Sequence, residues 1–154
     1  MVERVTYAVE GWGVGEIVLA DGLLAWHEHP RPAVRAERDG ARTPLAERFR
    51  AYFAGATDAF ADVELELDWC TVFQRRVVDA MRSIPYGETA TYAEVAALAG
   101  HPNAGRAVGS VCAANRFALV VPCHRVVAAD GLGSYGSLGT GYKQRLLELE
   151  GVVL

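Results

Sequence analysis

The chain has 154 residues, 51% of them hydrophobic and 22% charged, with a formal net charge of −4; this describes one ordinary globular domain or two small ones sharing a core. No run approaches the roughly 18–20 apolar residues of a membrane span, and the opening MVERVTYAVEGWG alternates charge with β-formers where a signal peptide needs an apolar core. Neither a membrane nor a secreted protein is expected, a cytoplasmic one is, and the acid excess argues against a dedicated nucleic-acid binder.

In chain order, residues 4–10 and 15–20 alternate as strands do, with glycines around Trp12 making the turn. Asp21-Gly22 is a hairpin signal, and residues 23–29 (LLAWHEH) read as a third strand. A polar, proline-containing loop follows over 29–42. Thr43-Pro44 opens a helix through about Tyr52, with proline at the first helical position. Residues 63–69 (VELELDW) are strand-like or a linker, and here the character changes. Residues 1–68 hold 7 Lys/Arg and 13 Asp/Glu, a net −6, whereas residues 69–154 hold 8 and 6, a net +2. Two domains are read, 1–68 and 69–154, and any polyanion should meet the second.

From Thr71 the pattern is helical. Thr71 and Gln74 make a capping box, and Phe73, Val77, Met81 and Ile84 recur at core-helix spacing. Residues 84–89 (IPYGET) are a turn. Thr91 and Glu94 make a second capping box for a short helix ending at Gly100. Asn103 is then placed to cap a third helix, 104–114, so that two short helices and a tight turn form a helix-turn-helix. The third helix is almost without side chains: Ala104, Gly105, Ala107 and Gly109 surround the lone Arg106. Glycine inside a helix costs about 1 kcal/mol against alanine, so something approaches this backbone closely, either a neighbouring element or a polyanion. A glycine-rich loop (130–141) lacks the order of a P-loop. A last helix carries Leu146, Leu147 and Leu149 and stops at Gly151.

Before that loop stands VVPCHRVV, residues 120–127. The flanking valines place Cys123, His124 and Arg125 in a buried segment, where each polar group needs a partner. In a strand, Cys123 and His124 point to opposite faces and do not touch directly. Cys70, Cys112 and Cys123 are odd in number and without framework spacing, which reads as reduced thiols.

PCHRVV at 122–127 resembles the active-site signature of the O6-alkylguanine-DNA alkyltransferases, the methylated-DNA–protein-cysteine methyltransferases. TVFQRRVVDAMRSIPYGETATYAEVA, RAVGSVCAAN and LLELEG fall in that family's order and spacing, so the resemblance spans about residues 69–151. It implies an α+β fold, a ribonuclease-H-like N-terminal α/β domain followed by a winged helix-turn-helix domain. It implies direct-reversal DNA repair: one irreversible transfer of the alkyl group from O6-alkylguanine, or from O4-alkylthymine, to Cys123.

By the same resemblance His124 deprotonates Cys123 through a water, Glu150 orients His124, and Tyr92 donates a proton towards the leaving guanine. Asn115 braces the turn carrying Cys123. Arg106 enters the stack vacated by a flipped nucleotide, while Ala104, Gly105, Ala107 and Gly109 lie against the minor groove. Val126, Tyr135 and Gly136 line the base pocket. Where relatives have Asn-Pro this chain has Asn115-Arg116, the loop after Tyr135 reads GSLGTGY, and Ser137 stands in for a hydroxyl absent at Gly136. Some relatives bind zinc; only His27, His29 and Cys70 could contribute here, and no metal is expected. No cofactor is expected either. Partners are double-stranded DNA and no membrane, and the chain is expected to act as a monomer near the nucleoid.

Three other functions fit the residues less well. A lesion sensor without repair activity carries another residue at the cysteine position. A Cys-His-Glu hydrolase has no oxyanion-hole motif here, and a DNA-reading regulator needs base-reading side chains on its recognition helix.

Overall fold

The computed structural model describes residues 1–32 and 43–154, so most of the loop expected over 29–42 lies outside the described residues. The chain divides into two compact units, Met1–Leu67 with Arg116–Ala118, and Asp68–Asn115 with Leu119–Leu154. A segment late in the sequence thus belongs to the first unit, which no local pattern indicated.

In the first unit, β1 (Val2–Val9), β2 (Gly13–Ala20) and β3 (Leu23–Arg31) form an antiparallel sheet in the order β1-β2-β3. The β2–β3 turn has Asp21 and Gly22 at φ 50° and 83°, the doubly left-handed geometry that selects Asp-Gly in two-residue hairpins. Helix α1 (Pro44–Phe53) is capped by Thr43, whose side chain accepts from the Ala46 amide. Tyr7, Ile17, Leu24, Phe49, Tyr52 and Phe60 fill the core. His27 is buried among them, its ring parallel to Phe49 at 3.8 Å between centroids. The Tyr7 hydroxyl donates to His27 Nε2, and His27 Nδ1 donates to the Ala118 carbonyl. Both ring nitrogens are therefore engaged inside the fold. The His27 amide donates to the Arg116 carbonyl at 2.8 Å, so segment 116–118 is tied to β3. Residues 63–69 are not a strand; Leu65 makes a single bridge to Leu24.

In the second unit, α2 (Val72–Arg82) and α3 (Tyr92–Leu98) each begin with a complete capping box, Thr71/Gln74 and Thr91/Glu94. Val77 and Met81 are buried, as their spacing requires, while Phe73 is only half-buried. Gly100, at φ 84°, ends α3 by letting His101 and itself donate back to Ala96 and Ala97, the double return bond of a left-handed helix stop. Helix α4 (Gly105–Ala113) follows. Its cap is Ala104 and has no side-chain bond, so the expected Asn103 cap is incorrect. The physical reason is one residue of register: the Ala104 amide already closes a turn onto the His101 carbonyl at 2.9 Å, leaving Asn103 inside the preceding turn. Two short strands, β4 (Ala90–Thr91) and β5 (Val126–Val127), pair in parallel, Ala90 opposite Val126. That pairing sets the start of α3 beside the segment leaving PCHR. Helix α5 (Gly139–Leu149) closes the unit. Among the described residues no helix is long and apolar enough to cross a membrane.

Candidate active site

VVPCHRVV is buried from end to end except for its last valine, which is half-buried, but it is not a strand at its centre. Cys123–Arg125 form a single 3-10 turn, so the expectation of opposite strand faces for Cys123 and His124 is corrected. The cause is Pro122: its ring fixes φ at −81°, and with ψ 65° the Cys123 amide folds back onto the Val121 carbonyl at 2.8 Å. This is an inverse γ-turn. Asn115, at the end of α4, braces the same point. Its Nδ2 donates to the Val121 carbonyl at 2.9 Å and contacts Cys123 Sγ at 3.1 Å. The Tyr135 hydroxyl also hydrogen-bonds the thiol. Burial pushes the Cys123 thiol up, against the pull of Asn115, Tyr135 and the Lys143 charge. Cys123 is thus a protonated thiol in the folded chain and needs a base to react.

His124 is completely buried. Its Nε2 donates to Glu150 Oε2 at 2.7 Å, while its buried Nδ1 has no hydrogen-bond partner among the described residues. Burial lowers the imidazole below its usual range, although the Glu150 carboxylate opposes this, so the ring is neutral at neutral pH and the Nδ1 lone pair is open. Glu150 is the residue that caps the C-terminus of α5. Gly151, at φ 86°, makes the stop by donating to the Glu148 carbonyl while Val152 donates to Leu147. That is the role of glycine in LLELEG: it ends the helix with Glu150 turned inward.

Glu150 accepts from Arg125 Nε at 2.8 Å, Arg125 Nη2 at 3.0 Å and the Gly87 amide at 3.1 Å, besides His124. Burial alone would raise this carboxyl, but the bonds from His124 and Arg125 prevail and hold it well below the usual carboxylate range. Arg125 also donates from Nη1 to the Ile84 carbonyl at 2.8 Å. It was not among the expected site residues, although a buried arginine in PCHR demands a buried acid as partner.

Tyr92, the first residue of α3, is half-buried. Burial pushes its hydroxyl up, and Ser134 hydrogen-bonds it. Gly133, at φ 76°, lets the loop lie against the ring, since a Cβ there would stand 3.1 Å from the tyrosine oxygen. Gly105 and Gly109 face the same residue: a Cβ on either would sit 3.9 Å from a Tyr92 carbon. These two glycines therefore turn inward to α3. The exposed face of α4 carries Arg106, Ala107, Ser110, Ala113 and Ala114, with Ala104 half-buried at the cap. Val126 is buried and its carbonyl already accepts from Lys143 Nζ at 2.6 Å. Gly136 and Ser137 are exposed in a short 3-10 turn after Tyr135. Lys143 was also missed. The stripe 143, 146, 147, 150 on one face of α5 signalled that it shares the buried side with Leu146, Leu147 and Glu150.

The chain matches the family model of the 6-O-methylguanine DNA methyltransferase DNA-binding domain over residues 72–152. A methylated-DNA–protein-cysteine methyltransferase of Mycobacterium leprae is 48% identical over 114 residues, 73% of this chain and 67% of that protein. The chain belongs to the O6-methylguanine-DNA methyltransferase family. One of Methanothermobacter thermautotrophicus is 37% identical over 142 residues, covering 92% of this chain and 76% of its own. Among solved structures, the Mycobacterium tuberculosis family member crystallised in complex with DNA aligns with a TM-score of 0.80 at 37% identity, covering 96% of this chain and 92% of that one. The mixed α+β architecture is the family's.

Proposed function

We propose that this chain repairs alkylated DNA by direct reversal. Cys123 Sγ attacks the alkyl carbon of O6-alkylguanine, or of O4-alkylthymine, forming an S–C bond as the O–C bond breaks. The thiol proton passes through a water to Nδ1 of His124, and the departing base takes a proton from the Tyr92 hydroxyl. The single observation carrying this reading is the polarity of His124. Its Nε2–H is held by an ionised Glu150, and its buried Nδ1 has no partner among the described residues, which supports the imidazole as an acceptor for the thiol proton. The product is a thioether, which water does not hydrolyse under cellular conditions, so each chain acts once.

Asn115 serves as the brace of the nucleophile turn. Tyr135, Gly136, Ser137 and the Val126 backbone line the pocket of a base extruded from the duplex, an excursion costing a few kcal/mol. The exposed face of α4 supports minor-groove contact, since alanines and a serine beside Arg106 admit close approach of a sugar-phosphate backbone, with Arg106 filling the vacated stack. Ala104 and Ala107 act in that contact, and Gly105 and Gly109 contribute through the seat of Tyr92. The first unit is read as ribonuclease-H-like and the second as a winged helix-turn-helix, with domains 1–68 and 69–154 apart from the segment 116–118. The protein acts as a cytoplasmic monomer on nucleoid DNA, without cofactor or metal. A duplex whose restriction site is blocked by one O6-methylguanine tests this: cleavage should be restored by one equivalent of protein and not by Cys123→Ala. Restoration by Cys123→Ala contradicts it.

A further inference from the structure

Lys143 is a charge in an unusual place. It lies on the inner face of α5 and is fully buried, yet no carboxylate pairs with it among the described residues. Burying an ammonium without a counter-charge is unfavourable unless fixed dipoles replace the lost water. Two do so: Nζ donates to the Val126 carbonyl at 2.6 Å and to the Ser134 carbonyl at 3.3 Å. Two tyrosine faces complete the cage, with Nζ 5.9 Å from the Tyr92 ring centroid and 6.0 Å from that of Tyr135. An ammonium has three donors, so one N–H remains over.

Those four contacts belong to separate parts of the site. Val126 follows the Cys123–Arg125 turn, Ser134 and Tyr135 sit on the glycine-rich loop, and Tyr92 opens α3. We infer that Lys143 is a positioning residue for alkyl transfer, a strut that ties the strand leaving the nucleophile turn to the glycine-rich loop and so holds Tyr135 and Tyr92 at their working distance from Cys123. This rests on the alkyl-transfer reading above. Leucine or methionine on the same stripe would satisfy the helix packing equally well, and a strut explains why a charged side chain stands there. The charge has a second consequence: burial lowers the Lys143 ammonium, and a negative Cys123 raises it. The strut and the thiolate therefore favour each other.

The test is Lys143→Met, which keeps an unbranched apolar stem and removes every donor. Four quantities are measured on the full chain: the single-turnover rate at saturating O6-methylguanine duplex, the duplex dissociation constant, the thermal midpoint, and the pH profile of Cys123 alkylation by iodoacetamide. The saturating rate should fall roughly 10- to 100-fold, the loss expected when reacting groups are misplaced by about 1 Å. DNA affinity should stay within about twofold, the midpoint should fall by only a few degrees as the Val126 and Ser134 carbonyls lose a donor, and the alkylation profile should move to higher pH. Lys143→Gln, which keeps a donor but not the charge, should recover part of the rate. A wild-type saturating rate in either variant overturns the inference. If neither variant folds, Lys143 holds the fold and not the site, and the inference falls as well. A wild-type chain that transfers no methyl group would instead overturn the alkyl-transfer reading, so the two failures are distinct.

Discussion

Replacing Glu150 by glutamine changes one atom and sets a donor among neighbours that are themselves all donors. The carboxylate accepts from His124 at 2.7 Å, from Arg125 at 2.8 and 3.0 Å, and from the Gly87 amide at 3.1 Å. An amide offers one oxygen and one NH2, so whichever way it turns a donor meets a donor. If the NH2 faces His124, the ring answers by moving its proton to Nδ1, which closes the lone pair that takes the thiol proton. If it faces Arg125, the guanidinium loses its charge partner in a buried site. Removing one member of a buried pair costs about 3–5 kcal/mol of stability, and losing a positioned base costs about 10²–10⁴ in rate. Thermal unfolding and single-turnover transfer at saturating duplex separate the two losses, with DNA affinity as the control that should stay near wild type. The pH dependence carries the sign. In the wild type burial holds His124 below its usual range, so transfer should begin to decline only at a pH lower than that at which an ordinary imidazole takes up its proton. In Glu150→Gln the thiol, itself pushed up by burial, must ionise unaided, so the rate should climb steadily into the alkaline range. A variant with the wild-type rate at neutral pH, or an equal loss at every pH, refutes the relay.

Arg106→Ala should slow transfer at saturating duplex far more than reaction with free O6-benzylguanine, because a free base leaves no stack to fill; an unimpaired saturating rate would leave Arg106 as a phosphate contact with only a shallower salt dependence. Burial lowers His27 from 6.5 to about 4 against the bond to Ala118. The unfolded chain therefore binds this proton first, and stability is full above pH 6.5 and lost as pH falls towards 4. At about 1.4 kcal/mol per pH decade, that loss is about 3 kcal/mol, and denaturant titration of His27→Gln should lack it; an unchanged slope contradicts the assignment. Gly15→Ala sets a Cβ 2.6 Å from the Tyr7 ring, so it should cost about 1–3 kcal/mol by overpacking, and a chemical-denaturation midpoint equal to wild type would show that Tyr7 moves aside freely.

Local grammar was legible wherever it decides structure. Both capping boxes, the Asp21-Gly22 turn and the glycine stops after α3 and α5 stand where their chemistry requires. Cys123, His124 and Glu150 were singled out through resemblance, and the structure joins the last two by a hydrogen bond of 2.7 Å. What stayed hidden is set by contacts distant in sequence. Valine-rich flanks suggested a strand through Cys123, but Pro122 and the bond from Asn115 to Val121 make a turn there. Arg116–Ala118 joins the first unit because His27 bonds it from 91 residues away. The small residues of α4 divide between two faces, and only packing against Tyr92 separates Gly105 and Gly109 from Ala107.

The most direct measurement is the intact mass of the chain after incubation with excess duplex containing O6-methylguanine, followed by peptide mapping. One added methyl group per chain, on the peptide holding Cys123, with the reaction stopping at one equivalent and Cys123→Ala unmodified, is the predicted result. Continued turnover of the duplex beyond one equivalent, or a methyl group on any other residue, contradicts it.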